Sequence, residues 1–193
     1  PLTQAPGVAA AGGTSVLPFS GGWSTGEFTV EGFTPAENQP GPWGDIRIVT
    51  PDFFRAMQIP LLRGRYLTAQ DRMGGRPVGV VDAELVKRYW PNTDPVGKRL
   101  TFGYGSDSST QWIEVVGVVA HTKHEGLDAT QDRIQLYLPY LQGGPFTPGN
   151  LAMTIRAGRA TDGQVEVVPS VATAAGPVLA AQPVLVARIV VAL

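Results

Sequence analysis

Val49-Thr50-Pro51-Asp52-Phe53-Phe54-Arg55-Ala56-Met57-Gln58-Ile59-Pro60-Leu61-Leu62-Arg63-Gly64-Arg65-Tyr66-Leu67-Thr68-Ala69-Gln70-Asp71 is the stretch on which the fold turns. It opens with a helix signal. Thr50 suits a cap, Pro51 the first helical position, and Asp52 the positive end of the helix dipole. Phe53, Phe54 and Met57 supply a side to bury. Pro60 stops the helix by pushing Ile59 toward an extended backbone. The apolar pair Leu61-Leu62 and then Arg63-Gly64-Arg65 follow. Nothing in the stretch is catalytic chemistry.

Upstream, residues 46–49 predict a strand that enters this helix, and residues 8–17 an Ala/Gly/Val-rich extended segment broken by Pro18-Phe19-Ser20-Gly21-Gly22. A short strand is expected around Phe28 and Val30, and residues 34–44, with three prolines, form an exposed loop. Downstream of a loop at 72–77, Val78-Gly79-Val80-Val81 is a buried strand running into a helix capped by Asp82. Leu85, Val86, Tyr89 and Trp90 form the apolar side of that helix, and Pro91 stops it. Residues 92–97 read as a turn and 99–102 as a half-buried strand, with a hairpin loop at 103–110. Residues 112–120 are β-branched throughout their centre and predict a central strand.

A polar loop at 121–133, a strand at 135–140, a loop at 143–150 and a strand at 151–155 follow. Residues 164–181 read as mostly helical with a kink at Gly176-Pro177, and residues from 184 on as a final strand. Hairpins mixed with βα units define an α+β class.

Composition narrows the function. Apolar residues make up 43% and charged ones 16% of 193, which describes a chain with a core rather than a disordered one. Net charge is −1 with scattered cations, so no nucleic-acid surface is expected. The absence of cysteine excludes disulfides, thiol catalysis and iron–sulfur clusters. No stretch reaches the ~20 apolar residues that span a bilayer. The chain opens on Pro1-Leu2-Thr3-Gln4-Ala5-Pro6-Gly7, like the exit of a helix, and reads as a piece of a longer protein.

Candidate chemistry is sparse. His121 and His124, with Glu125, have ligand types for zinc, but the residues sit in a loop with Lys123 among them, and a solvated turn is the preferred reading. Gly103-Tyr104-Gly105 lacks the Gly-Lys-Ser/Thr ending of a phosphate loop. Asp82 is explained by capping and Asp94-Pro95 by a turn. Arg63 and Arg65 either clamp an anion or tie a loop to Asp71, and the tie is preferred. Trp23, Phe33 and Trp43 either line a partner or ligand surface or fill gaps under long loops. Catalytic residues, cofactors and metals are therefore expected to be none.

The opening run resembles the extracytoplasmic domain of MacB/FtsX-type ABC-transporter permeases, whose pattern reads Phe-Arg-Ala-Met, x-Ile-Pro-Leu-Leu-Arg-Gly-Arg, then Asp. The resemblance continues in order through residues 77–91, Asp94-Pro95-Val96-Gly97-Lys98-Arg99, Glu114-Val115-Val116-Gly117-Val118-Val119, Tyr137-Leu138-Pro139-Tyr140 with Gln142, and residues 153–156. It departs at Asp82, where Asn is usual, at Ala120, at Asp132-Arg133 and in the segment with Gly176-Pro177. The family motif falls on Phe54, Arg55, Met57, Pro60, Arg63, Gly64, Arg65, Asp71, Pro95, Gly97, Gly117, Tyr137 and Pro139.

The resemblance implies a membrane-proximal subdomain of βαβ units, residues 1–58 plus 134–193, with a mixed subdomain, residues 59–133, inserted into it. It implies a non-enzymatic domain on the periplasmic or extracellular side of the inner membrane. The parent's transmembrane helices and an ATP-binding subunit or domain would be its partners, with a periplasmic protein as a further candidate. The isolated domain would be a monomer or weak dimer. The nearest pattern is that of the duplicated orphan permeases of soil bacteria.

Overall fold

The computed structural model describes residues 8–20, 22, 24–102, 111–124, 133–143, 148–149 and 151–157. The expected hairpin loop at 103–110, the helix at 164–181, the strand from 184 and Trp23 lie outside the described residues. In chain order the elements are β1 (Val8–Thr14), β2 (Thr25–Val30), β3 (Trp43–Val49), α1 (Phe53–Ala56) and β4 (Leu61–Gly64). Then come β5 (Val78–Asp82), α2 (Ala83–Tyr89), β6 (Arg99–Phe102), β7 (Ile113–Val119), β8 (Gln135–Pro139), a 3-10 turn at Tyr140–Gln142, and β9 (Ala152–Ala157). The order is that of an α+β protein.

The β-branched run at 112–120 becomes the centre of the sheet because every face of it finds cover. β7 runs parallel to β5 along one side, from Val78↔Glu114 to Asp82↔Val119. Its other side pairs antiparallel with β6 at Leu100↔Ile113 and with β4 at Leu61↔Val119 and Gly64↔Gly117. β5 pairs antiparallel with β8, β8 parallel with β3, β3 antiparallel with β2, and β2 antiparallel with β6. Followed in turn, these pairings return to β7. Six strands thus form a closed circuit, from which β3 also reaches β1 through Thr14↔Val49, and β1 pairs along its length with β9.

A circuit this small leaves an interior that side chains fill. Phe28, Val30, Val81, Leu100, Ile113, Val115, Val118 and Leu136 meet there, closed over by Leu85 of α2 and by Trp90 just past its end. Their neighbours along the same strands point the other way, and a register shift in β7 opposite Gly79 and Val80 breaks the pleat so that Val115 and Val118 share one face. Val49, Val78, Val80, Val116, Val119 and Tyr137 pack outside, under Phe53 and Phe54 of α1 and under Ile59 and Leu67.

Local expectations hold for α2. Asp82 caps it, accepting the N–H of Leu85 at 3.0 Å. They fail for α1. The cap is Asp52, with no side-chain bond, because the Thr50 hydroxyl accepts the N–H of Gly13 at 2.8 Å instead. The helix is one turn, and Gln58 at φ 55° turns the chain out before Pro60 is reached. Met57 is half-buried rather than core. β4 was not expected as a strand, and β3 begins at Trp43, inside the expected loop.

Candidate functional site

The pairing of β5 with β8 and of β8 with β3 brings the end of β5 to the starts of β8 and β3. Polar residues collect at this junction. Asp82 is fully buried, and its Oδ1 accepts the N–H of Leu85 at 3.0 Å and of Gln135 at 3.1 Å. Its Oδ2 lies 2.6 Å from Nδ1 of His121. A carboxylate only accepts, which assigns the proton to Nδ1. The Gln135 side chain donates to the Thr122 carbonyl and accepts from the Tyr137 hydroxyl at 2.6 Å. Burial raises the pKa of Tyr137, and the Asp82 charge adds to that, so the hydroxyl stays a donor. This is how a buried carboxylate is kept: every oxygen is occupied.

On β3, the side chains of Asp45 and Arg47 are both 3% exposed and pair at 2.9 Å. Arg47 also donates to the carbonyls of Ser24 and Ile46, each at 3.1 Å, while its Nε has no partner among the described residues. Desolvation lowers the pKa of Arg47 against the opposing pull of Asp45. The Arg47 charge reaches His124. Neither of its ring nitrogens has a hydrogen-bond partner among the described residues. Its pKa is pushed down to about 3, first by burial, then by Arg47 and His121.

The solvated turn expected at 121–125 is therefore corrected over its described part, 121–124. Its two histidines face inward because Asp82 and the strand ends hold them there. Glu125, the third residue of the zinc reading, lies outside the described residues. Among the described residues no group of three or more His, Cys, Asp or Glu is placed to hold an ion, and Arg47 opposes a cation beside His124. Sequence reading passed over Asp45, Arg47 and Gln135. The usable signal was Asp45-Ile46-Arg47-Ile48, two opposite charges on one face of a strand whose other residues are apolar.

The motif residues gather elsewhere. Arg65 grips Asp71 with both nitrogens, at 2.8 Å each, and Asp71 also accepts the Thr68 N–H at 2.7 Å. Beside this grip, β4 crosses β7 with backbone against backbone. A Cβ on Gly64, at φ 68°, would overlap the Val116 carbonyl, and one on Gly117 would overlap that of Arg65. Phe54 stacks on Tyr66 at 5.5 Å and meets Tyr137 edge-on at 5.0 Å. Pro60 offers its carbonyl to the Ala120 N–H at 2.9 Å, and Pro139 is buried opposite Val49. Pro95 is buried in a turn where Val96 donates to Asp94 at 3.1 Å, and Gly97 takes φ 86°. Arg55 and Arg63 are exposed and Met57 is half-buried. Phe33 is absorbed against Tyr89 at 4.8 Å, whereas Trp43 stays 42% exposed under the Arg133 guanidinium, 5.0 Å from its ring.

Fold and network together define a sheet-built domain whose charged groups answer one another inside the molecule. A family model described as the MacB-like periplasmic core domain matches residues 3–185, and the chain belongs to that family. Among solved structures it is similar to the periplasmic region of MacB from Actinobacillus actinomycetemcomitans, with 19% identity, a TM-score of 0.55, and 82% of this chain covered against 62% of that one. It is also similar to a domain of a permease protein from Porphyromonas gingivalis, at 14% identity and TM-score 0.52, covering 82% of this chain and 65% of that one. The chain thus spans less than two thirds of either structure it resembles. No curated protein matches it. The domain is a periplasmic or extracellular part of an inner-membrane ABC-transporter permease.

Proposed function

We propose that this domain is a non-catalytic relay. Its parent permease would use it to couple ATP hydrolysis in the cytoplasm to efflux, lipoprotein release or signalling, through changes of conformation and contacts with partners. One observation carries the reading: the charged groups at the strand junction are spent on one another, Asp82 on Leu85, Gln135 and His121, and Arg47 on Asp45. Groups so occupied hold strands together. Within this proposal residues 1–58 with 134–193 form one lobe and residues 59–133 the other, joined by the pairings of β5 with β8 and β2 with β6. The motif residues from Phe54 to Pro139 serve as structural supports, and the isolated domain is a monomer or weak dimer that binds no nucleotide.

The test is the full-length permease carrying Asp82→Ala. ATP turnover that persists while the envelope-side output collapses is the expected result, and unimpaired output would overturn the relay. A tight dimer of the domain in sedimentation at micromolar concentration would contradict its oligomeric part. The exposed Trp43 under Arg133 favours a second reading, a small-ligand pocket. A ligand-dependent thermal shift abolished by Trp43→Ala would put that reading in place of the relay.

A further inference from the structure

Residues 120–124 cross the junction as a strap fastened at four points. The Ala120 N–H donates to the Pro60 carbonyl at 2.9 Å, and the His121 ring is held by Asp82. The Thr122 carbonyl takes the Gln135 amide, and the His124 carbonyl takes the Phe19 N–H at 2.8 Å. The last fastening holds something unfavourable. Phe19 sits at φ 58°, in the left-handed region that a bulky side chain avoids, and its ring is 55% exposed. On the same residue, both His124 ring nitrogens are buried with no acceptor among the described residues, and the Arg47 charge acts on the ring.

Among the described residues, a proton on His124 would therefore have no answer. Arg47 on β3 and His121 on the strap are the groups that act on it, and both oppose a positive charge. The nearby carboxylates are engaged, Asp45 by Arg47 with Arg133 at 3.8 Å, and Asp82 by His121. The Tyr137 hydroxyl is neutral and already donates to Gln135.

We propose that residues 120–124 are an acid-released latch: protonation of His124 drives its ring out of its buried site and frees the Phe19 segment, while the strand circuit stays closed. The direction follows from linkage. The ring titrates near 6.5 when released and at about 3 when latched. The open form binds the proton more tightly, so acid favours it, from about pH 6.5 downward. A domain outside the inner membrane meets the acidity of the surroundings, which gives such a latch something to sense.

Amide hydrogen exchange on the whole chain tests this. Corrected for the intrinsic effect of pH, protection of the Phe19 amide should fall by up to about a hundredfold between pH 7 and pH 4.5, the ratio that these two titration points give. The amides of Val115 and Val118 should keep theirs. His124→Gln, which cannot titrate, should abolish the fall. Unchanged Phe19 protection in the parent, an equal fall in His124→Gln, or joint loss at Val115 and Val118 would each overturn the latch. Should His124→Gln not fold, an NMR titration of the His124 ring in the parent decides. Its midpoint should coincide with the exposure of Phe19, and a ring that titrates while Phe19 stays protected would overturn the proposal.

Discussion

The crossing of β4 over β7 and the polar junction of β3, β5 and β8 are both tightly packed, but they are built in opposite ways. At the crossing, closeness comes from removing side chains. Gly64 and Gly117 let two backbones touch, and an ion pair spanning six residues, Arg65 to Asp71, staples the loop beside them. At the junction, closeness comes from matching side chains drawn from distant parts of the chain: 45, 47, 82, 121 and 135. The first design tolerates no added atom. The second tolerates no removed partner.

The sharpest way to break the contrast is at the crossing. Gly117→Ala should cost about 4 kcal/mol or more in urea unfolding, because the new methyl overlaps the Arg65 carbonyl and neither backbone can retreat. Gly97→Ala, at φ 86° but with open space around it, should cost only about 1–2 kcal/mol from backbone conformation. Equal losses would show that close approach is not what β4 and β7 require.

Next comes the junction. Asp82→Ala removes the cap of α2 and leaves the Gln135 N–H and the His121 ring without their acceptor, so a loss of about 3 kcal/mol is expected. Asp82→Asn keeps an acceptor and should lose roughly half as much, which thermal melts at neutral pH would resolve. Equal melting points for Asp82→Ala and the parent would show that the buried partners are dispensable.

The staple should weigh less. Arg65→Ala leaves Asp71 buried without its cation, yet Arg65 is half exposed, so about 1–2 kcal/mol is expected. Burial alone would raise the pKa of Asp71, but the bonds from Arg65 and the Thr68 N–H reverse this and hold it below the ordinary value. Its contribution is therefore complete above the usual carboxylate range and is lost as pH falls through that lowered value. Asp71→Asn should flatten this part of the acid limb of stability. A limb of unchanged slope would assign the acid loss elsewhere.

The smallest effect belongs to a pair in neither region. Lys87→Ala, breaking a 3.4 Å contact with Glu84 on the surface of α2, should change stability by less than about 0.5 kcal/mol.

The two designs also differ in how much of them can be read from sequence. The strand from Val78, the cap at Asp82 and the β-branched run at 112–120 announce themselves, because the residues that decide them are neighbours in the chain. β4 does not. Leu61–Gly64 has three of four residues exposed, and only the edge of β7 makes it a strand. Thr50 looks like a cap until the Gly13 N–H, 37 residues away, claims its hydroxyl. The string from His121 to His124 looks solvated because each residue is polar. The partial burial of His121, Thr122 and His124 depends on Asp82 and Gln135 arriving from other segments, which no local pattern encodes.

The closed circuit of six strands has a mechanical consequence. A flat sheet under load unzips from an edge, one hydrogen bond after another. A ring offers no edge at which to begin, and separating residues 59–133 from the flanking strands means shearing the β2–β6 and β5–β8 pairs together. Stretched in a single-molecule instrument, the ring should give way in one large rip rather than a series of small ones. Below that threshold it would transmit displacement without loss, as a rigid link does.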